Sequence, residues 1–359
     1  MAQRVMLLVG TPKGAFILDG GRERRDWQLR GPLCDGWPIH DVTWDPKSGA
    51  LFAGGGSPWY GPAVFRSDDL GATWSHSSEG MTYGDDGPKI PTVWNVTPAN
   101  GSIYAGVEPA GLFRSDDGGA TWSHVAGLRE HPSRQDPGWS PGAGGLICHT
   151  IVPHPSDPAR LWVAISSVGT FATEDGGATW TARNVGVNAC FQPDPSPETG
   201  QCVHKLVMAA GDPDRLYQQN HCGVYRSADG GRSWEDISAG LPSEFGFVMG
   251  THPRDDDTAW VIPLSHPEEG RTAIGGALAV YRTRDRGTTW ERQAAGLPQE
   301  HAWVGVLREA LSVDRRDPAG VYFGTSTGQL YGSSDEGASW SRIADNLPPI
   351  WGVQAIEVD

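Results

Sequence analysis

Short apolar or alternating runs such as VMLLVG, GAFIL, RLWVAIS and GTFAT recur along the whole chain, each cut off after a few residues by Gly, Pro, Asp or Ser. Runs of this length, rich in Val, Ile, Phe, Tyr and Trp and bounded by turn formers, predict strands. They come in fours. Between Cys148 and Asn184 the order is CHTIVPHP, RLWVAIS, GTFATED and TWTARN, and the same order repeats through most of the sequence. The expected fold class is therefore all-β.

One octapeptide punctuates the repeat: SDDLGATW from Ser67, SDDGGATW from Ser115, TEDGGATW from Thr173, SADGGRSW from Ser227, TRDRGTTW from Thr283 and SSDEGASW from Ser333. Its aspartates stand at 69, 117, 175, 229, 285 and 335, giving intervals of 48, 58, 54, 56 and 50 residues. A strand such as AVFR, GLFR or GVYR precedes each copy, and the closing Trp opens the next strand. The Asp side chain suits a turn because it accepts backbone N–H groups, the Gly because it tolerates positive φ, and the Trp because it can pack between sheets. A calcium loop of the EF-hand kind is not expected, since the ligating Glu and the flanking helices are missing.

These octapeptides resemble the Asp-box, or bacterial neuraminidase repeat, of sialidase-like proteins. The resemblance implies a β-propeller with four antiparallel strands per blade. Six boxed units leave VMLLVG, GAFIL and DWQLRG at one end and WGVQAIEVD at the other, which together would make a seventh blade. The expectation is a single seven-bladed domain over residues 1–359, with the ring closed by the C-terminal strand in the N-terminal blade, so that no edge is left open. Asp-box propellers include sialidases, xyloglucan-active glycosidases, sortilin-like receptors and photosystem II assembly factors, so the resemblance implies a fold and leaves the activity open.

Composition narrows the partners. With 28 Lys+Arg against 43 Asp+Glu the net charge is −15, and no basic run exists to meet a phosphate backbone. Nucleic acid and anionic membrane are not expected partners, and no segment approaches the roughly 20 apolar residues of a membrane helix. The N-terminus, MAQRVMLLVGTPKG, reads as a strand rather than a secretion signal. Five cysteines, an odd number, suggest reduced thiols and a cytoplasmic protein.

Long loops gather on one face: 33–40, 81–95, 129–145, 186–204 and 298–304. Such loops usually carry function. They bear Trp37, Trp59, Tyr60, Trp94, Trp139, Trp303 and Trp351, expected either to pack the loops or to form stacking walls for a sugar-like ligand. Aligning the innermost strands puts His40, His149, His204, Phe247, Glu309 and Gln354 at equivalent positions facing the axis, with Asn95 near the third. His221 and Glu108 follow on loops at the same end, and His301 precedes the last full blade.

Converging imidazoles suit a divalent transition metal, Zn, Mn, Fe or Cu, with His40, His149, His204, His221 and His301 as candidate ligands and Cys202 as an outside one. His149, His204, Glu108 and Glu309 are the candidate catalytic groups. The F/Y-R-I-P arginine motif of true sialidases is absent, so sialidase activity is not expected. The expected activity is a metal-assisted or histidine-based hydrolase or lyase acting on a small or carbohydrate ligand. The alternatives are a two-carboxylate glycosidase and a non-catalytic binding or assembly module with a protein partner.

Overall fold

The structure, a computed structural model, describes residues 4–359 and is all-β apart from one α-helical turn, Ala126–Arg129, and a few 3-10 turns. Its antiparallel sheets are built from strands consecutive in the chain. Four of four strands begin at Cys148–Pro153, Val203–Met208, Gly246–Thr251 and Leu311–Val313. An eight-stranded sheet holds two further sets, one starting at Ile39–Trp44 and one at Thr92–Ala99, joined only by the pair Gly56↔Thr92. In the remaining sheet the last strand of the chain, Gly352–Val358, lies beside the first, Arg4–Thr11, followed by Gly14–Asp19 and Gln28–Leu33. That terminal pairing runs from Arg4↔Val358 to Gly10↔Gly352.

The first strand of each set packs against the first strand of the next, and Gly352–Val358 touches both Leu311–Val313 and Ile39–Trp44. Core residues lie between sheets as well as on them. Met6, Leu8 and Ile17 share a cluster with Val42, Leu51 and Phe65, while Tyr104 and Leu112 share one with Ile151, Leu161 and Phe171. Each fully buried Phe or Leu in these seams contributes about 1.5–3 kcal/mol.

The six octapeptide turns share one hydrogen-bond pattern, as their common sequence requires. In the first, the Ser67 hydroxyl donates to Asp69 and accepts the Gly71 N–H, while Asp69 accepts both the N–H and the hydroxyl of Thr73. The turns around Asp117, Asp175, Asp229, Asp285 and Asp335 repeat it. Gly71 has φ of +85°, and a Cβ there would come within 2.4 Å of Ile17 in the neighbouring sheet, so the position excludes other residues twice over. The aspartates are consumed by their own turns, which leaves them structural.

One expectation needs correction. Cys190 and Cys222 form a disulfide, so only Cys34, Cys148 and Cys202 are free thiols. An odd count forbids complete pairing but not one bridge, and the argument from reduced thiols fails for these two. Among the described residues no helix is long and apolar enough to cross a membrane.

Candidate functional site

The inner strands depart from simple alternation at a recurring place. Ile39 and Asp41 pair with the adjacent residues Gly55 and Gly54, so His40 is an extra residue with no partner of its own. Trp94, His149 and His204 are extra in the same way, and Phe247 with Val248 in the next set. Each is a β-bulge, which lets two neighbouring side chains leave a strand toward different surroundings.

The bulge moves the central lining by one residue. A cavity of about 360 Å³ is lined by Asp41, Asn95, Thr150, Lys205, Glu309 and Gln354 from successive inner strands, together with residues deeper along them. His40, His149 and His204, expected there from the alignment, are not part of that lining. Glu309 and Gln354 are. Within the cavity Lys205 pairs with Glu309, and Asp41 accepts Asn95 Nδ2 and the Val96 N–H, each at 2.9 Å. Burial, with repulsion from Glu309, raises the Asp41 carboxyl to about 7.

The bulged side chains instead form a layer of rings. His40 lies between Trp94 and Trp351, with ring centroids 3.9 and 4.5 Å away. Burial lowers its imidazole to about 3, so it stays neutral, and it is packed apart from the other histidines. His149 has both nitrogens engaged: Nε2 donates to the Val203 carbonyl at 3.0 Å, and Nδ1 accepts from the Thr150 hydroxyl at 2.9 Å. His204 differs. Its Nδ1 donates to the Gly246 carbonyl at 2.6 Å, and Nε2, left with a lone pair, lies 3.5 Å from the Cys202 sulfur.

Cys202, His204 and His221 bring one ligand-capable atom each to within 4.8 Å of one another, a group able to hold a metal ion. His221 follows Asn220 in a tight turn and is fixed from the other side by the disulfide at Cys222. A backbone carbonyl bound to the second ring nitrogen is the usual way a protein sets the tautomer of a metal-binding histidine. Burial and the charge of Arg308 hold His204 neutral, as ligation requires, while burial pushes the Cys202 thiol up and Arg308 opposes that rise. A thiolate with two imidazoles suits Zn or Cu better than Mn.

The structure does not bring the other predicted groups into this set. His301 is exposed and lines a separate cleft with Trp303, Gln329 and Tyr331. Glu108 accepts the Trp94 indole N–H at 3.3 Å. Of the aromatic rim, Trp37 stacks on Tyr60 at 4.5 Å, Trp139 packs on Phe171 and under Arg134, and Trp59 and Trp303 are 92% and 60% exposed. Tyr60 and Phe191 are also exposed. His154 and His252 are turn residues, each accepting backbone N–H groups through Nδ1.

Alignment of the inner strands does not single out Arg308, yet it stands one residue before Glu309, as His204 stands before Lys205. Its guanidinium lies over the Phe247 ring at 5.3 Å, and Phe247 in turn packs on His204 at 4.6 Å. The signal that finds it is the residue preceding the cavity-lining position.

Comparison with known proteins agrees with this architecture. The BNR/Asp-box repeat family matches residues 113–124, and no curated protein matches the chain. Among solved structures the chain is similar to an ancestral GH74 enzyme (TM-score 0.61, 18% identity, covering 86% of this chain and 39% of that one). It is also similar to YCF48 bound to D1 peptide (0.55, 19%, 85% and 80%) and to a protein assigned as a 6-phosphogluconolactonase from Bacteroides uniformis (0.60, 11%, 99% and 100%). The chain thus spans well under half the length of the GH74 enzyme, and identities this low speak to fold alone. The chain carries BNR/Asp-box repeats on a β-propeller fold of the kind seen in GH74 enzymes and YCF48.

Proposed function

We propose that the chain is a single seven-bladed propeller, its ring closed by Gly352–Val358 in the N-terminal blade, and that it is a metal-assisted hydrolase or lyase for a small, sugar-like substrate. The reading of seven blades is supported by the division of the eight-stranded sheet at a single residue pair and by the packing of each inner strand on the next. The observation that carries the functional reading is the pose of His204: Nδ1 is pinned to Gly246, and Nε2 faces Cys202 beside His221.

Cys202, His204 and His221 would hold the ion, which when bound supplies a Lewis acid and an activated water. His149 and Glu309, whose polar atoms are already engaged, are assigned to positioning the inner strands, and Glu108 to holding Trp94. Metal content of untagged protein and turnover of a panel of sugar esters, lactones and glycosides test the reading together. Loss of both in His204→Ala, at unchanged fold, is expected. Turnover that survives with no metal and no His204 would overturn it.

A second reading, a peptide- or protein-binding module, is favoured by the exposed Trp59 and Trp303 on the loop face and by the likeness to YCF48 with its peptide. It predicts a partner whose capture needs Trp59 or Trp303 and is indifferent to His204.

A further inference from the structure

Arg308 forms no ion pair of its own, although the charge of the neighbouring Glu309 favours it. Among the described residues no carboxylate pairs with it: the adjacent Glu309 is taken by Lys205, and the Arg308 Nε is buried with no hydrogen-bond partner. Its only described contact of note is the Phe247 ring beneath it. A guanidinium in a partly closed site normally finds a carboxylate, because an unpaired buried charge is costly. The side chain is not a remnant of surface charge either, since it stands one residue before the cavity-lining Glu309, as His149 and His204 stand before Thr150 and Lys205, and lies over the buried Phe247 ring.

Three further features surround it. Burial works most against the Arg308 charge; exposed Arg271, which has no ion pair among the described residues, adds to that, and Cys202 and Glu309 oppose it. A Cβ added at Gly144 would stand 3.4 Å from Nη2 and 3.7 Å from Nη1, so this glycine lets the loop approach the guanidinium closely. Arg308 lies over Phe247 at 5.3 Å and Phe247 packs on His204 at 4.6 Å, which sets the guanidinium on the flank of the proposed metal group. Two unpaired arginines at one mouth of a protein with a net charge of −15 make a local positive site against the overall field.

We propose that Arg308, seconded by Arg271, is an oxyanion subsite: the substrate carries a carboxylate or a phosphate, gripped by the guanidinium fork next to Cys202, His204 and His221. Guanidinium matches both groups through paired N–H donors, and a planar carboxylate meets it edge to edge. The proposal takes only its location from the functional reading above, and it narrows the substrate class to acidic sugars or sugar phosphates.

The experiment uses the full chain stripped with chelator, at constant ionic strength, with D-glucuronate, glucose 1-phosphate and neutral D-glucose as probes, followed by calorimetry and by melting temperature. One or both anions are expected to bind and to raise the melting temperature while glucose does not, and which anion binds names the group. Arg308→Met should weaken that binding at least about tenfold, the worth of one strong charge-assisted contact, and should melt no lower than the parent without ligand. Arg271→Gln, on an exposed side chain, should weaken binding by a smaller factor and guards against misfolding of the first variant. The proposal is overturned if neither anion binds better than glucose, if both variants bind as the parent does, or if Arg308→Met melts well below the parent. Anion binding that appears only after metal is restored also overturns it, because the metal would then be the anchor. Anion binding that persists in chelated protein, whatever the metal analysis gives, separates this subsite from the metal reading.

Discussion

The Nδ1 of His204 donates to the carbonyl of Gly246, in the inner strand of the next sheet, at 2.6 Å. The bond crosses a seam between two sheets, so the same contact that ties the seam also aims Nε2 at Cys202. His149 makes the corresponding bond to Val203 through Nε2, and thereby turns its other nitrogen to Thr150 and away from any shared ion.

A metal analysis should therefore separate the two histidines. Cys202→Ser and His204→Ala are expected to lose bound Zn or Cu, while His149→Ala keeps the metal and loses stability instead, by about 1–3 kcal/mol for the buried groups left unpaired. Equal loss of metal in all three variants would contradict the assignment.

The disulfide bridges residues 32 apart and anchors the turn that carries His221. Closing a loop of that length stabilises by about 3–4 kcal/mol on the chain-entropy view. Cys190→Ala with Cys222→Ala should lower the melting temperature and weaken metal binding more than a distant mutation of equal thermal cost. Retention of full metal affinity would show that His221 is held without the bridge.

Asp41 gives a pH signature. Its folded value of about 7 lies above that of an unfolded aspartate, so its contribution to stability is fully present below about 4 and is lost as pH rises through about 7. Urea unfolding of the parent should show stability falling across that window, and Asp41→Asn should flatten the fall. An unchanged pH slope in the variant would refute the assignment.

The octapeptide turns act in the opposite direction. Hydroxyl and N–H donors from Thr73, Thr121 and Thr179 hold Asp69, Asp117 and Asp175 down to about 2. Their stabilisation is present above the unfolded carboxylate range and fades as pH falls toward 2. Asp175→Ala should melt earlier at neutral pH, with a smaller difference near pH 2, and the folded fraction should still bind metal. A variant that keeps its melting temperature but loses metal would contradict a structural role.

Deleting residues 352–359 removes the strand paired with Arg4–Gly10 and opens one edge of the sheet that joins the termini. The expected loss is several kcal/mol, a large share of the ~5–15 kcal/mol that holds a typical protein folded. Calorimetry in which the shortened chain melts like the parent would rule out closure through this strand.

The octapeptide made the sheets legible because one local motif fixes one turn, and its spacing then counts units. The terminal pairing was legible for a similar reason: three strands at one end and one at the other leave little else to pair. Alternation failed at the inner strands, where a bulge adds a residue that no period-two pattern registers, so Thr150 and Lys205 took the places expected of His149 and His204. Arg308 escaped for another reason: the expected Glu309 does line the cavity, and the residue before it lies ahead of the strand Leu311–Val313, beyond the reach of any alternation. Cys190 and Cys222 escaped because a single bridge leaves no spacing signal, and His301 because a loop residue cannot be placed by strand register.

The repeated bulge separates two tasks that would otherwise compete for one side chain. At each bulge one residue faces the seam layer and its neighbour faces the central cavity, so the pair can vary independently: His with Asp at 40 and 41, Trp with Asn at 94 and 95, His with Lys at 204 and 205. A new ligand preference at the mouth can thus be acquired by changing His204 or Arg308 without touching the polar network that lines the cavity. The same backbone can be retuned, one blade at a time, like a set of interchangeable keys on a common shaft.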